Sequence, residues 1–274
     1  MTGADVQAAE ARRCCVAAYE SEWARLLLGD ALHPGGLALT LRAGAWLNLG
    51  PDTRLLDVAS GRGASAIALA REYGCSVHGI DLSEESVAAA KQAAEDAGLS
   101  GLVSFAVGDA EKLEAGDGEF DAVLCECAFC TFPGKAEAAS EFARVLKPGG
   151  RIALSDITRD GELPPELDTL LGWVACLADA RPLDEYVSFL GSAGFHGFVQ
   201  ERHDQALTKF VSGVKLKLLG LEVLARVGKA PVPLDEVVQG KQLAKSAAAC
   251  IRHGQLGYAL IGATAPDGSG PCTT

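Results

Sequence analysis

The sequence predicts an α/β protein in which strands and helices alternate through most of the chain, and three observations carry that prediction. Residues 55–63, Leu-Leu-Asp-Val-Ala-Ser-Gly-Arg-Gly, lead apolar residues around Asp57 into a glycine turn. Residues 64–72 then place Ala64, Ile67 and Ala68 at helical spacing, so the whole stretch reads strand, turn, helix. Further short apolar runs follow: residues 77–81 close on Asp81, residues 103–107 lead into Gly108-Asp109-Ala110, and residues 120–124 form a fourth strand.

The turn carries chemistry as well as topology. Gly61 and Gly63 let the backbone approach a ligand closely, and the helix start behind them offers free N–H groups. Asp81 stands where an acid after the second strand of a nucleotide-type βαβ unit accepts hydrogen bonds from ribose hydroxyls. Read alone, the turn leaves a nicotinamide-binding domain open, with Gly61, Gly63 and Ala66 as its fingerprint.

Composition narrows the partners. With 274 residues and 49% hydrophobic content the chain can bury one full α/β core with a smaller appendage. A formal charge of −12 offers no basic stripe to neutralise phosphates, which disfavours nucleic acid and favours a small substrate. No apolar run reaches the length of a membrane span and the N-terminus lacks the form of a signal peptide, so a soluble, cytoplasmic protein is expected. Nine cysteines, an odd count with Cys14 and Cys15 adjacent, do not read as a secreted disulfide framework.

Taken in order, residues 1–50 read as an N-terminal helical lid. Residues 16–28 are amphipathic, with Tyr19, Trp23, Leu26 and Leu27 on one face, and residues 37–47 resume helix after a Gly/Pro break that holds His33. His33 reads as part of a helix-connecting turn, with lining of the site as the other possibility. Residues 51–204 form the core. Ser83 caps its second helix ahead of Glu84 and Glu85, residues 144–150 close a later helix, and a fifth strand spans residues 151–155. A sixth strand covers residues 197–201.

Residues 207–227 and 234–252 read as two helices around a Gly/Pro break, and residues 256–264 as the last strand. Residues 205–254 are therefore a candidate substrate cap over the carboxyl edge of the sheet, where open α/β sheets bind ligands. Residues 265–274 are rich in Pro, Gly, Ser and Thr and read as a disordered tail, with Cys272 incidental.

The acid after the third strand and Leu146-Lys-Pro-Gly-Gly150 add to the turn and Asp81 a pattern that resembles class I S-adenosyl-L-methionine-dependent methyltransferases over about residues 47–156. Ala59 stands where that family's first motif has glycine. The resemblance implies a Rossmann-like seven-stranded sheet whose last two strands are antiparallel, with the helical insertion between them. It implies S-adenosyl-L-methionine as cofactor, with Asp57, Gly61 and Gly63 at its amino acid end. Asp81 would hold the ribose, Asp109 and Ala110 the adenine, and Leu82 and, after the fourth strand, Cys125 would also contact the cofactor.

A narrower resemblance concerns the thiols. Cys125-Glu-Cys127-Ala-Phe-Cys130-Thr-Phe-Pro-Gly-Lys135, then Ser155-Asp-Ile157, Glu162-Leu-Pro164 and Gly172-Trp-Val-Ala-Cys176-Leu177, look like blocks of arsenite methyltransferases. The match puts Cys127 and Cys176 on the two thiols that bind trivalent arsenic. Glu126 departs from that family's asparagine and Ala175 from its glutamate. Its additional N-terminal cysteines have no clear counterpart, which leaves Cys14, Cys15 and Cys250 as candidate third ligands.

Trivalent arsenic is soft and selects thiolates, and its lone pair needs alignment on the methyl rather than a general base. A thiol reductant is then implied as a partner. Against this stands the reading of cysteine as a small buried hydrophobe, which suits Cys75 and, on packing grounds, Cys125. Cys127-Ala-Phe-Cys130 is formally a C-x-x-C, in the wrong context for a redox motif, and the spacings do not supply a four-ligand zinc site. The competing functions are a methyltransferase for an organic acceptor, whose activity would survive loss of the thiols, and a protein that binds the metalloid without turnover.

Overall fold

The computed structural model describes residues 33–165, 167, 176–177 and 179–267. The expectations for Cys14, Cys15, the helix of residues 16–28, residues 172–175 and the tail residues 268–274 with Cys272 lie outside the described residues. The described chain runs α1 (Gly36–Leu47), β1 (Arg54–Val58), α2 (Ala64–Tyr73), β2 (Ser76–Asp81), α3 (Glu84–Asp96), β3 (Val103–Val107) and β4 (Phe120–Glu126). A 3-10 turn (Phe129–Thr131) follows, then α4 (Lys135–Val145), β5 (Leu146–Arg159), α5 (Leu183–Ser192), β6 (His196–Arg202), α6 (Asp204–Arg226), α7 (Leu234–Arg252) and β7 (Leu256–Thr264).

The seven strands form one sheet in the order β3-β2-β1-β4-β5-β7-β6. β1 pairs parallel with β2 and β4, β2 with β3 and β4 with β5, while β7 lies antiparallel between β5 and β6. Parallel strands covered on both faces read as continuous apolar runs, which is what Leu55, Leu56 and Val58, Val123 and Leu124, and Ile152 to Leu154 supply. The strand order reverses between β1 and β4, so the crevice for a ligand opens at their carboxyl ends. Asp57, Asp81 and Glu126 all stand there, each within the last two residues of its strand.

Three sequence expectations differ in detail. Helix α2 buries Ser65, Ala66, Leu69 and Ala70, while Ile67 and Ala68 are half-buried. Close packing on the sheet selects the small side chains, which a hydrophobic period does not rank. The fifth strand begins at Leu146, because Phe120↔Leu146 opens its ladder before Lys147–Gly150 bulge out and pairing resumes at Ala122↔Arg151. It extends to Arg159 because β7 pairs with it from Arg151↔Thr264 to Arg159↔Leu256.

β6 ends and β7 begins at the carboxyl edge, so α6 and α7 leave and return there. The pair holds a small core of its own, Leu218, Leu221, Val237 and Ala244, and its outer face exposes Leu216, Leu219, Val223 and Val227. No helix among the described residues is long and apolar enough to cross a membrane.

Candidate functional site

The turn after β1 is stitched to β2 by backbone hydrogen bonds. Ser60 N–H donates to Ile80 O at 2.9 Å, and Gly61 N–H donates to Asp81 Oδ2 at 2.9 Å. Ser83 N–H donates to Asp81 Oδ1 at 2.9 Å, so backbone donors hold the Asp81 carboxylate in one orientation. Ser83 then caps α3 through Ser86 N–H, as its sequence position implies.

Gly63 caps α2 at φ 82°, where an added Cβ would stand 2.5 Å from the Phe105 ring. Ala59, at φ 56°, occupies the left-handed region that a glycine enters without cost; the departure noted in the sequence is local strain of about 1 kcal/mol.

One cavity gathers most of the expected cofactor residues. Asp57, Gly61, Asp81, Leu82, Asp109 and Ala110 line it together with His33, Ser65, Glu126 and Cys127. Gly63 is not a lining residue and acts through the turn. Cys125, expected beside the cofactor, is fully buried within β4 and does not line the cavity, because its side chain alternates into the core.

Asp57 is 2% exposed, accepts from Ala66 N–H, and has an Oδ2 with no partner. Burial first, then the charges of Glu126 and Asp81, raise its carboxyl well above the usual range. An orphaned, buried acceptor facing a cavity fits a ligand that brings N–H groups, and the Asp81 carboxylate behind the Gly61 turn fits a ribose. The residues present therefore fit S-adenosyl-L-methionine.

Glu126, which the sequence marked only as a departure, lies at the centre of a polar network. Ser65 Oγ donates to its Oε2 at 2.6 Å, Thr40 Oγ1 lies 3.1 and 3.0 Å from its two oxygens, and His33 Nε2 lies 3.5 Å from Oε2. His33 is thus a cavity residue, tied by Nδ1 to Pro34 O at 3.2 Å, and not only part of a turn.

The next residue, Cys127, turns left-handed at φ 52°, and Cys176 does so at φ 59°. Non-glycine residues held there cluster at functional sites. Cys176 Sγ donates to Cys127 O at 3.5 Å, and the two thiols hydrogen-bond to each other. That contact, with burial and the Cys176 charge, pushes the Cys127 thiol well above its usual range, while the Tyr258 hydroxyl opposes the shift. Tyr258 OH in turn meets Ser155 Oγ at 3.1 Å.

Cys130, 1% exposed, also touches the Cys176 thiol, and its N–H donates to Asp156 Oδ2 at 2.8 Å. Burial and the Cys176 charge raise Asp156 to about 7. Lys135 Nζ bonds Asp179 Oδ2 at 2.5 Å and Phe132 O at 2.9 Å, tying the loop after β4 to the segment that carries Cys176.

Of the candidate third ligands, Cys250 is buried in the main core at the end of α7 and does not line the cavity. Among the described residues no group of three or more His, Cys, Asp or Glu side chains is arranged to hold a metal ion. Among the described cysteines, Cys127 and Cys130 both meet the Cys176 thiol. No residue of α6 or α7 lines this cavity, so the cap expected from residues 205–254 does not contribute to it. Asp156, Tyr258 and the Lys135–Asp179 pair were not singled out from the sequence; only the quoted Ser155-Asp-Ile157 and Lys135 blocks pointed toward them.

A methyltransferase domain family matches residues 56–154. Among curated relatives, 27-O-demethylrifamycin SV methyltransferase of Amycolatopsis mediterranei is 31% identical over 240 residues, covering 84% of this chain and 83% of the relative. An arsenite methyltransferase of Aquipseudomonas alcaligenes is 32% identical over 220 residues, 75% of this chain and 62% of the relative. Three further curated relatives are matched over 43% to 60% of their own length. Among solved structures, Haemonchus contortus phosphoethanolamine N-methyltransferase 2 in complex with S-adenosyl-L-methionine superposes with a TM-score of 0.74 at 22% identity, over 92% of this chain and 56% of that one.

Proposed function

The chain belongs to the S-adenosyl-L-methionine-dependent methyltransferases, and from that premise we propose that it methylates a thiolate-bound metalloid, trivalent arsenic. The contact between Cys127 and Cys176 carries this reading. It brings together the two cysteines that match the arsenite methyltransferase pattern, both held in a strained backbone, one of them on the cavity wall.

Bound in the cavity, S-adenosyl-L-methionine supplies an electrophilic methyl group on a sulfonium. Asp57, the Gly61 turn, Asp81, Leu82, Asp109 and Ala110 hold it. The thiols hold the acceptor. The Cys127 thiol is held protonated near neutrality by its contact with Cys176 and by burial. Arsenous acid condenses with two thiols, forming two As–S bonds and releasing two waters. Arsenic keeps a third position for an exogenous thiol and a lone pair for the methyl. The nucleophile has no proton to lose, so the site needs alignment and no general base.

An organic acceptor is the second reading, favoured by the likeness to the rifamycin methyltransferase over most of both chains. Purified protein with labelled S-adenosyl-L-methionine, glutathione and arsenite separates the two. Methylated arsenic supports the first. Intact cofactor binding with no methylated arsenic transfers the assignment to an organic acceptor.

A further inference from the structure

We propose that Glu126 is a second carboxylate for the cofactor's α-ammonium, forming a cation cradle with Asp57 at the carboxyl ends of β1 and β4. The proposal rests on the methyltransferase reading and is independent of the acceptor. Val58 pairs with Cys125, which puts Asp57 one residue before that rung and Glu126 one residue after it on adjacent strands. Both line the same cavity, and the Glu126 charge opposes ionisation of Asp57.

Two buried carboxylates on one cavity call for a cation. Among the described lining residues no lysine is present, the guanidinium of Arg62 pairs with Glu85 at 3.8 Å, and the cation-capable side chain that meets Glu126 is the His33 ring at 3.5 Å, which does not partner Asp57 Oδ2. Around Glu126 the hydroxyls of Thr40 and Ser65 and the ring of His33 orient the carboxylate.

The identity of the cation follows from the orphan at Asp57. Its Oδ2 requires a hydrogen-bond donor. Of the two positive groups in S-adenosyl-L-methionine, the sulfonium has no N–H and the α-ammonium has three. The ammonium alone can neutralise Glu126 and satisfy Asp57 together. Glu126 also adjoins Cys127, so the residue that anchors the cofactor's amino acid end is bonded to the residue proposed to hold the acceptor. An asparagine, as arsenite methyltransferases carry there, offers no charge for this task.

Calorimetric titration without any acceptor tests the cradle. S-adenosylhomocysteine and its analogue lacking the α-amino group are titrated into wild type, Glu126→Gln and Asp57→Asn, each shown folded by its thermal transition. Wild type should prefer the amino-bearing ligand. Each variant should bind S-adenosylhomocysteine about tenfold or more weakly, as loss of a charge-assisted hydrogen bond does, with the desamino analogue within about twofold of wild type. Should Glu126→Gln unfold, Glu126→Asn is titrated in its place, with the same selective loss of the amino-bearing ligand expected. Equal weakening of both ligands in the variants, or no preference in wild type, overturns it. A wild type that binds neither ligand overturns the methyltransferase reading as well.

Discussion

Cys176 Sγ donates to the carbonyl oxygen of Cys127 across 3.5 Å, joining positions separated by 49 residues at the mouth of the β4 loop. The contact depends on a tether. Lys135, whose side chain is 5% exposed, fixes Asp179 three residues beyond Cys176. Lys135→Met should destabilise the fold by about 1–3 kcal/mol; breaking a buried pair costs more, but the Asp179 carboxylate is partly in water and also meets Arg181. The more specific readout is kinetic: the KM for arsenite should rise while the cofactor Kd stays unchanged. A parallel rise in both would mean that Lys135 supports the whole site and not the thiol pair.

Ala59 and Gly63 occupy the same turn with opposite fitness for it. Gly63→Ala places a Cβ against Phe105 in the left-handed region and should cost about 2 kcal/mol in denaturant unfolding. Ala59→Gly relieves the strain at φ 56° and should be neutral or stabilising by up to about 1 kcal/mol. Two losses of similar size would show that Ala59 is held by packing that outweighs its backbone conformation.

Asp156 gives the fold a pH dependence of defined sign. Its folded value near 7 lies above the unfolded value near 3.9, so the native state holds the extra proton between them. Its contribution to stability is present in full below about pH 4 and is lost as pH rises toward and through 7. Asp156→Asn cannot titrate. The stability difference between this variant and wild type should therefore shift in the variant's favour between about pH 4 and pH 7.5. Parallel pH profiles would remove Asp156 as the source.

The strand order and the cofactor side of the cavity were legible because each rests on local signals. Gly61 and Gly63 mark the turn by conformation, while Asp81 and Asp109 close apolar runs at the strand ends. The polar network was not legible. Thr40, Ser65 and His33 meet Glu126 from helices or turns distant in sequence, and no spacing rule encodes that convergence. Cys127 and Cys176 were found through likeness to known sequences rather than through periodicity. Cys125 and Cys250 show its limit: cysteine also packs as a small hydrophobe, and only the strand alternation and helix register turned these two inward.

The decisive measurement is the speciation of arsenic after turnover by wild type, Cys127→Ser and Cys176→Ser, with cofactor affinity measured on the same preparations. Methylated arsenic from wild type, reduced at least about a hundredfold in both variants while the cofactor Kd stays within about twofold, is the expected result. Undiminished arsenic methylation by either variant, or none by a wild type that binds its cofactor, would contradict a thiolate-held metalloid as the acceptor.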